Sequence, residues 1–239
     1  MQPFGFVLLP GAGGDAWYWH LVAPILREHG HEAIPVDLPA ADDSAGLAEY
    51  ADTVVRALRA RTHDRVAVVA QSLGGFTAPL VCQEVAVDLL VLVNAMIPNP
   101  GETPGEWWGN TGHADARREM SLRERRQPDA PFDPLVDFFH DVPQSVIDGA
   151  WARGEPRQSG SVFASRCTFE AWPPVPTRVL VGTDDRFFPA GFQRRVAAER
   201  LGIAADEMPG GHLLALSRPS ELAARLIAYA ESAGGKEAS

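Results

Sequence analysis

Short apolar segments alternate with amphipathic segments along most of the chain, and this alternation is the strongest constraint on its fold. Apolar and β-branched runs that predict strands lie at residues 4–9, 32–36, 66–70, 89–93 and 178–181. Segments with helical spacing lie at residues 17–27, 46–61, 76–84, 192–201 and 221–231. Strands separated by helices predict a parallel sheet covered by helices on both faces. With a further short extended piece before the Gly-rich loop at 210–211, we predict an α/β fold with a mostly parallel sheet of about six strands.

The middle of the chain has a different character. Residues 98–176 are rich in Pro, Gly, Trp and Arg, and they interrupt the alternation between the fourth and fifth predicted strands. Shorter helices are predicted in this stretch at 114–126, 135–139 and 144–153. We therefore predict an α/β core formed by residues 1–97 and 177–239, with residues 98–176 inserted late in the sheet as a helical cap.

Composition narrows the possible partners. The 239 residues carry a formal net charge of −10, with a pI near 5.1, which disfavours nucleic acid and anionic membrane surfaces as partners. The first residues lack a basic region and a cleavage site, and no apolar run reaches membrane-spanning length, so we expect a soluble cytoplasmic protein that acts on a small molecule. Cys82 and Cys167 lack metal-ligand spacing, which favours two buried thiols and no metal. Nothing in the sequence predicts the oligomeric state.

One serine lies where a strand meets a helix. The stretch Ala70-Gln71-Ser72-Leu73-Gly74-Gly75 follows the predicted strand at 66–70 and fits the nucleophile pattern G-x-S-x-G, with Ala70 in place of the first Gly. Small residues are needed two positions before and after the serine because the sharp turn brings the chain close to itself. Ser72 is thus a candidate nucleophile. The alternative is a serine that caps a helix N-terminus.

A serine hydroxyl needs a base, and the base needs an acid to orient it. Downstream, Asp184 and Asp185 follow the predicted strand at 178–181, and His212 lies in a Gly-rich loop before the last helix. Both placements are at the carboxyl edge of the sheet, where α/β folds carry their chemistry. Their order, acid and then His, is the one that this arrangement requires.

The loop Gly11-Ala12-Gly13-Gly14-Asp15-Ala16 has two interpretations. It fits the dinucleotide-binding pattern G-x-G-x-x-A, with Asp37 at the end of the second strand as the ribose-binding acid. It also fits a loop that donates a backbone N–H to an oxyanion. Two observations are against the first interpretation. Trp17 and Trp19 follow the loop immediately, where a dinucleotide-binding helix needs close packing. The only lysine of the chain, Lys236, lies in the tail, so a hydride-transfer site of the Tyr-x-x-x-Lys type is absent.

The motifs AQSLGG, GTDDRFFP and GGHLLALSRP resemble those of the α/β-hydrolase superfamily, most closely its small plant-type carboxylesterases and hydroxynitrile lyases. The resemblance covers nearly the whole chain and implies an α/β-hydrolase fold with a cap between the sixth and seventh strands of that fold. It implies Asp185, the fourth residue of G-x-x-D, as the acid. It also implies the amides of Ala12 and Leu73 as the oxyanion hole, with Pro10 in place of the usual His of the loop.

These residues predict a serine hydrolase that cleaves a carboxylic ester through an acyl-enzyme, with no cofactor. Apolar rings in the predicted cap offer either a pocket wall over Ser72 or a small core of the cap itself. They are Trp107, Trp108, Phe138, Phe139 and Trp151. A pocket wall of this kind would favour a hydrophobic or aromatic ester as substrate.

Three other functions use the same fold. Thioester hydrolysis or acyl transfer would use the same triad of serine, histidine and acid. A ligand-binding protein with little turnover would keep only the fold. Hydroxynitrile lyase chemistry in the resembling branch relies on a lysine near the site and a threonine in the oxyanion loop. This chain has Ala12 at the threonine position and no candidate lysine, so that chemistry is not expected.

Overall fold

The computed structural model describes residues 3–60 and 64–234. The strands in these residues are β1 (Gly5–Leu9), β2 (Glu32–Pro35), β3 (Val66–Gln71), β4 (Leu89–Val93), β5 (Thr177–Gly182) and β6 (Asp206–Met208). These six strands form one sheet in the order β2-β1-β3-β4-β5-β6, and all neighbouring pairs are parallel. The predicted α/β fold is confirmed. No helix in the described residues is long and apolar enough to cross a membrane.

Helices follow most strands. Those of the α/β core are α1 (Val22–Glu28), α2 (Leu47–Arg59), α3 (Gly74–Glu84), α9 (Ala190–Leu201), α10 (Leu214–Ser217) and α11 (Pro219–Gly234). Between β4 and β5 lie α4 (Pro104–Thr111), α5 (His113–Arg123), α6 (Pro134–Asp137), α7 (Gln144–Ala152) and α8 (Ser161–Ala164). We call residues 98–176 the cap segment. The predicted helix end at Arg61 and the lysine at Lys236 lie outside the described residues.

Alternation along the strands explains the two-sided core. Successive side chains of a strand point to opposite faces, so Val7 and Leu9 join one apolar cluster, with α2, α3 and α9, while Phe6 and Leu8 join another. The second cluster contains buried side chains of α1 and α11. Both faces of the sheet are therefore covered, as a parallel sheet requires.

The predicted single helix at 17–27 is wrong. A one-turn 3-10 helix (Ala16–Trp19) comes first, and α1 begins only at Val22. Pro24 has no backbone N–H to donate, and as the third residue of α1 it lies within the first turn, where a proline costs a helix least. A continuous helix from residue 17 would place this proline in its interior.

The cap segment holds two helices that the sequence analysis did not predict, α4 and α8. The start of α4 carries a local signal, because the Thr103 side chain accepts from the Glu106 amide and the Glu106 side chain accepts from the Thr103 amide. Pro104 at the first helical position strengthens that signal. Gly112 then adopts a left-handed conformation between α4 and α5, which separates the two helices.

Candidate active site

Ser72 lies in the turn between β3 and α3, at the carboxyl edge of the sheet. Its φ of 50° is a left-handed value that costs a non-Gly residue about 1–3 kcal/mol. The turn is held by two bonds to the carbonyl of Ser72, from the amides of Gly75 (3.0 Å) and Met96 (2.9 Å). Gly75 is packed so closely that a Cβ would lie 2.0 Å from the Met96 carbonyl oxygen, so no larger residue fits there. The strand-turn-helix context predicted for Ser72 is present.

Three polar side chains from separate loops meet at this edge. The Ser72 Oγ lies 3.1 Å from His212 Nε2, and His212 Nδ1 lies 2.8 Å from Asp185 Oδ2. Because the carboxylate can only accept, Nδ1 carries the proton and Nε2 is left to accept from the serine hydroxyl. Ser72 is 8% exposed, and His212 and Asp185 are 1% and 0% exposed. The arrangement can move a proton from Ser72 to His212.

Asp185 is held on both carboxylate oxygens. Its Oδ1 accepts from the amides of Phe187 (2.9 Å) and Phe188 (2.8 Å), while Oδ2 accepts from His212 and from Gln193 Nε2 (3.2 Å). The neighbouring Asp184 instead accepts from the Gly210 amide at 2.9 Å, and so braces the loop that carries the histidine. Of the two candidate acids, the structure brings Asp185 to His212.

The loop after β1 lies beside Ser72. A Cβ on Gly11 would lie 2.8 Å from Ser72 Cβ and 3.4 Å from Ser72 Oγ, and a Cβ on Gly74 would lie 2.9 Å from the Pro10 carbonyl oxygen. The hydrogen bonds of the described residues include no acceptor for the amide of Ala12 or of Leu73. Both amides belong to segments that adjoin Ser72.

Sequence reasoning missed a buried asparagine. Asn94 follows β4 directly with a φ of 43°, and its Nδ2 donates to the carbonyls of Gly211 (3.0 Å) and His212 (3.1 Å). Its Oδ1 accepts from the Gly182 amide (2.7 Å) and from Gln193 Nε2 (3.3 Å). Asn94 therefore joins the loop of the acid to the loop of the histidine. A polar residue at the carboxyl end of an apolar strand is the signal that would have identified it.

Three rings enclose the imidazole of His212. Phe138 of the cap segment stacks on it with ring centres 4.8 Å apart and an angle of 14°, and Phe187 and Phe188 contact it edge to face at 5.3 and 5.0 Å. Phe132, which is 45% exposed, packs against Phe138 at 4.9 Å. An apolar surface therefore extends from the exterior of the cap segment to the histidine.

The other cap aromatics lie in different surroundings. Trp107 is fully buried in the main core, and its Nε1 donates to the Ile97 carbonyl at 3.0 Å. Trp108 packs edge to face on Trp107 at 5.2 Å. Phe139 packs edge to face on Trp151 with ring centres 4.9 Å apart, and Trp151 is half exposed. Of the five predicted aromatics, only Phe138 has a ring contact with the triad.

The chain matches a known protein family along most of its length. Residues 6–225 match the "Alpha/beta hydrolase family", and this range includes Ser72, Asp185 and His212. The chain belongs to this family. The resemblance drawn from the three sequence motifs is therefore confirmed.

Relatives of this hydrolase include plant enzymes. Norfluorocurarine synthase 1 of a Strychnos species is 22% identical over 91% of both chains, and polyneuridine aldehyde esterase of Rauvolfia serpentina is 24% identical over 95% of this chain and 96% of its own. The crystal structure of polyneuridine aldehyde esterase superposes with a TM-score of 0.75 at 21% identity, covering 96% of this chain and all of the other. A pyrethroid hydrolase of Sphingobium faniae has a TM-score of 0.72 at 21% identity, over 95% and 97% of the two chains.

In this hydrolase Asp37, the candidate ribose-binding acid, forms a hydrogen bond with the loop itself. Asp37 Oδ1 accepts the Ala16 amide at 2.8 Å, and Asp15 accepts the Trp17 amide at 2.7 Å. The loop is followed by a single 3-10 turn rather than by a long helix, whose N-terminus a pyrophosphate would need. Neither the Gly-rich loop nor Asp37 therefore supports a dinucleotide-binding site.

The two cysteines of the hydrolase are free thiols. Burial raises the pKa of Cys82 to about 12, and burial together with the charge of Glu102 raises the pKa of Cys167 to about 12. The Cys167 thiol donates to the Phe76 carbonyl. Since the thiolate is the nucleophilic form, neither cysteine competes with Ser72 as a nucleophile.

Proposed function

We propose that this hydrolase cleaves carboxylic esters through an acyl-enzyme on Ser72. The observation that carries the proposal is the chain of contacts from Ser72 Oγ to His212 Nε2 and from His212 Nδ1 to Asp185 Oδ2, at 3.1 and 2.8 Å. Hydroxyl, imidazole and carboxylate in this order form the arrangement that turns a serine into a nucleophile near neutral pH.

In acylation, Ser72 Oγ attacks the ester carbonyl carbon and His212 Nε2 takes the hydroxyl proton. Asp185 holds the tautomer and stabilises the imidazolium that forms. The amides of Ala12 and Leu73 donate to the oxyanion of the tetrahedral intermediate. The intermediate collapses when the C–O bond to the alcohol breaks, and the imidazolium returns its proton to the departing alkoxide oxygen.

Deacylation repeats these steps with water. His212 takes a proton from the water molecule as it attacks the acyl carbonyl, and the second tetrahedral intermediate uses the same two amides. The bond to Ser72 Oγ then breaks, and the proton on His212 restores the serine hydroxyl while the carboxylic acid leaves. No cofactor takes part in either half of the cycle.

A hydrophobic or aromatic ester is the proposed substrate. Phe138 and Phe132 form an apolar path from the surface to His212, which favours a substrate with apolar groups on that side. Polyneuridine aldehyde esterase, by its name, also acts on an ester.

Replacement of the nucleophile tests the proposal. Ser72→Ala removes the hydroxyl, and kcat/KM on p-nitrophenyl butyrate should fall by at least about 10³-fold, as in other triads. Ser121→Ala is the matched control because Ser121 is also buried but lies in α5 of the cap segment. It should keep the rate of the wild-type enzyme. Equal rates for both variants and the wild type would contradict the proposal.

Paired substrates test the specificity. Two esters of the same alcohol are compared, one with phenylacetic acid and one with a charged, polar acid of equal size. We expect kcat/KM to be higher for the phenylacetic ester. The corresponding thioester of phenylacetic acid separates thioester cleavage from ester cleavage by the same triad. A preference for the polar acid would overturn the apolar substrate class, and a large preference for the thioester would reassign the reaction.

A further inference from the structure

The cap segment contributes a side chain to the loop in which Pro10 replaces the usual His. Gln158 Oε1 accepts the N–H of Gly13 at 2.8 Å, across 145 positions of the chain. Gln158 Nε2 donates to Tyr50 Oη at 3.1 Å and to the Ser159 carbonyl at 3.0 Å. The contacts with Gly13 and Ser159 assign the orientation of this amide, because a reversed amide would direct its NH₂ group at the Gly13 N–H and its oxygen at the Ser159 carbonyl.

The contact falls on the central peptide of a tight turn. The Gly14 amide donates to the Gly11 carbonyl at 3.1 Å, which makes Ala12 and Gly13 the central residues. Gly13 has a φ of +89°, the value of the third residue of a type II turn. Type I and type II turns differ in the orientation of their central peptide, here the one that joins Ala12 to Gly13. Gln158 binds the N–H of that peptide and so selects one orientation.

The same turn sets the direction of the Ala12 amide. The Ala12 N–H and the Gly11 carbonyl belong to one planar peptide and point in opposite directions. Since the Gly11 carbonyl is bound by Gly14, the Ala12 N–H must point out of the turn. Gly11 itself adjoins Ser72, with its virtual Cβ 3.4 Å from Ser72 Oγ. Both turn types keep the bond from Gly14 to Gly11, so the Ala12 amide moves relative to the nucleophile only when the turn shifts as a whole.

Neighbouring contacts keep Gln158 in place. The Ser159 amide donates to the Ala40 carbonyl at 2.7 Å, and Ser159 is buried. Pro156 covers Gly13 so closely that a Cβ on the glycine would lie 2.9 Å from Pro156 Cβ. Residues 156–159 therefore pass directly over the turn, and the backbone beside Gln158 is anchored independently of its side chain.

We propose that Gln158 is a positioning residue, whose bond to Gly13 holds the turn at residues 11–14 in the place where the Ala12 amide faces the reacting oxygen. The inference rests on the proposed function, because it assigns Ala12 to the oxyanion. The hydrogen bonds of Gln158 in the described part of the chain reach Gly13, Tyr50 and Ser159, and neither Ser72 nor His212, so it acts through the backbone of the turn. The cap segment thereby completes a catalytic feature of the α/β core.

Variants at this position test the proposal. Gln158→Met keeps the size of the side chain and removes the acceptor, so kcat on p-nitrophenyl butyrate should fall about tenfold with little change in KM. Gln158→Glu keeps an oxygen for the Gly13 N–H, and Tyr50 can donate its hydroxyl to the new carboxylate, but the bond to the Ser159 carbonyl is lost, so kcat should fall clearly less than in Gln158→Met. Arg157→Gln alters the adjacent exposed side chain, and kcat should not change.

Phenylboronic acid gives a readout specific to the oxyanion, because its adduct with serine places an oxygen in the hole. Its inhibition constant should rise about tenfold in Gln158→Met, in step with the loss of kcat. A fall in kcat with unchanged boronate affinity would overturn the proposal, as would a rise in KM alone. Equal kcat in Gln158→Met and Arg157→Gln, in an active wild-type enzyme, would also overturn it.

Amide hydrogen exchange tests the contact without catalysis. The Gly13 N–H should exchange about tenfold faster in Gln158→Met than in the wild type or in Gln158→Glu, because only Met lacks an acceptor. Equal exchange rates in all three would overturn the proposal. A wild-type enzyme without esterase activity would contradict the proposed function instead, and the exchange rates would still decide whether Gln158 holds the turn.

Discussion

At the scale of single residues, the proposed triad depends on the groups that hydrogen-bond to its acid. Asp185 is fully buried, and removing a carboxylate from water is costly unless donors replace the water. Four donors do so: two backbone amides, His212 and Gln193. Gln193 is the one side chain among them that lies outside the proposed triad. It also donates to the Phe188 carbonyl at 2.6 Å, which holds it beside the acid.

Substitutions of Gln193 should reduce turnover in a defined order. Gln193→Met removes the donor to Asp185, and we expect kcat to fall about tenfold with KM unchanged. Gln193→Glu places a second carboxylate next to Asp185, and like charges at this distance should cause a larger loss. Steady-state kinetics on p-nitrophenyl butyrate give both values. Gln144→Met, the same change at an exposed position of α7, is the control. The reverse order of losses would contradict this role.

At the scale of elements, a buried ion pair ties the cap segment to α9. The side chains of Glu102 and Arg200 are 3% and 7% exposed, and Arg200 also donates to the Ile97 carbonyl at 2.6 Å. Glu102 accepts from Asn110 Nδ2 at 2.7 Å and from the Asn99 amide at 3.0 Å. The start of the cap segment, α4 and α9 are therefore joined through one carboxylate.

Removal of one member of the ion pair should lower the free energy of unfolding far more than removal of both members. Glu102→Leu leaves the guanidinium of Arg200 buried without its anion, and the free energy of unfolding should fall by about 3–5 kcal/mol. The double variant Glu102→Leu/Arg200→Met replaces both charges with apolar groups and should lose much less. Urea unfolding of the two variants measures the difference. A single variant as stable as the wild type would show that the pair contributes nothing.

Elements differ in how far the sequence alone could predict them. β3 and β4 were predicted closely because consecutive β-branched and aliphatic residues mark a strand buried on both faces. The helix predicted at 17–27 failed because its apolar spacing continued past Pro24, whose effect depends on where the helix begins. Asn94 carries a local signal as a polar residue at the end of an apolar strand, but its partners could not be predicted, since Gly211 and His212 lie 117 and 118 positions away. Gln158 is the same kind of case, since it supports a loop far away in the sequence.

At the scale of the whole molecule, two buried histidines make stability depend on pH. Burial lowers the pKa of His31 below its usual 6.5, and burial together with the nearby charge of Arg117 lowers the pKa of His113. The Phe4 amide donates to His31 Nδ1, which requires that nitrogen to be unprotonated. Because the unfolded chain binds protons at these residues more readily than the folded one, acid favours unfolding.

The free energy of unfolding should therefore decrease as the pH falls from 7.5 to 5.5. The contribution of these histidines is fully present well above pH 6.5 and is lost as the pH falls below that value. In the double variant His31→Asn/His113→Asn, urea unfolding across this range should show a smaller slope, since neither Asn titrates. His31→Asn also keeps an oxygen acceptor for the Phe4 amide. An unchanged slope would mean that other groups carry the pH dependence.

Mass spectrometry after treatment with a fluorophosphonate measures whether Ser72 is an activated nucleophile, since the reagent modifies only activated serines. We expect rapid, stoichiometric modification of Ser72 in the wild-type enzyme and slow modification of Ser72 in His212→Ala. We expect no adduct on Ser217, which is equally buried at 8% exposure and has no partner for its Oγ in the described structure. An inert Ser72, or a Ser72 labelled equally fast without His212, would show that these three side chains do not form a catalytic triad.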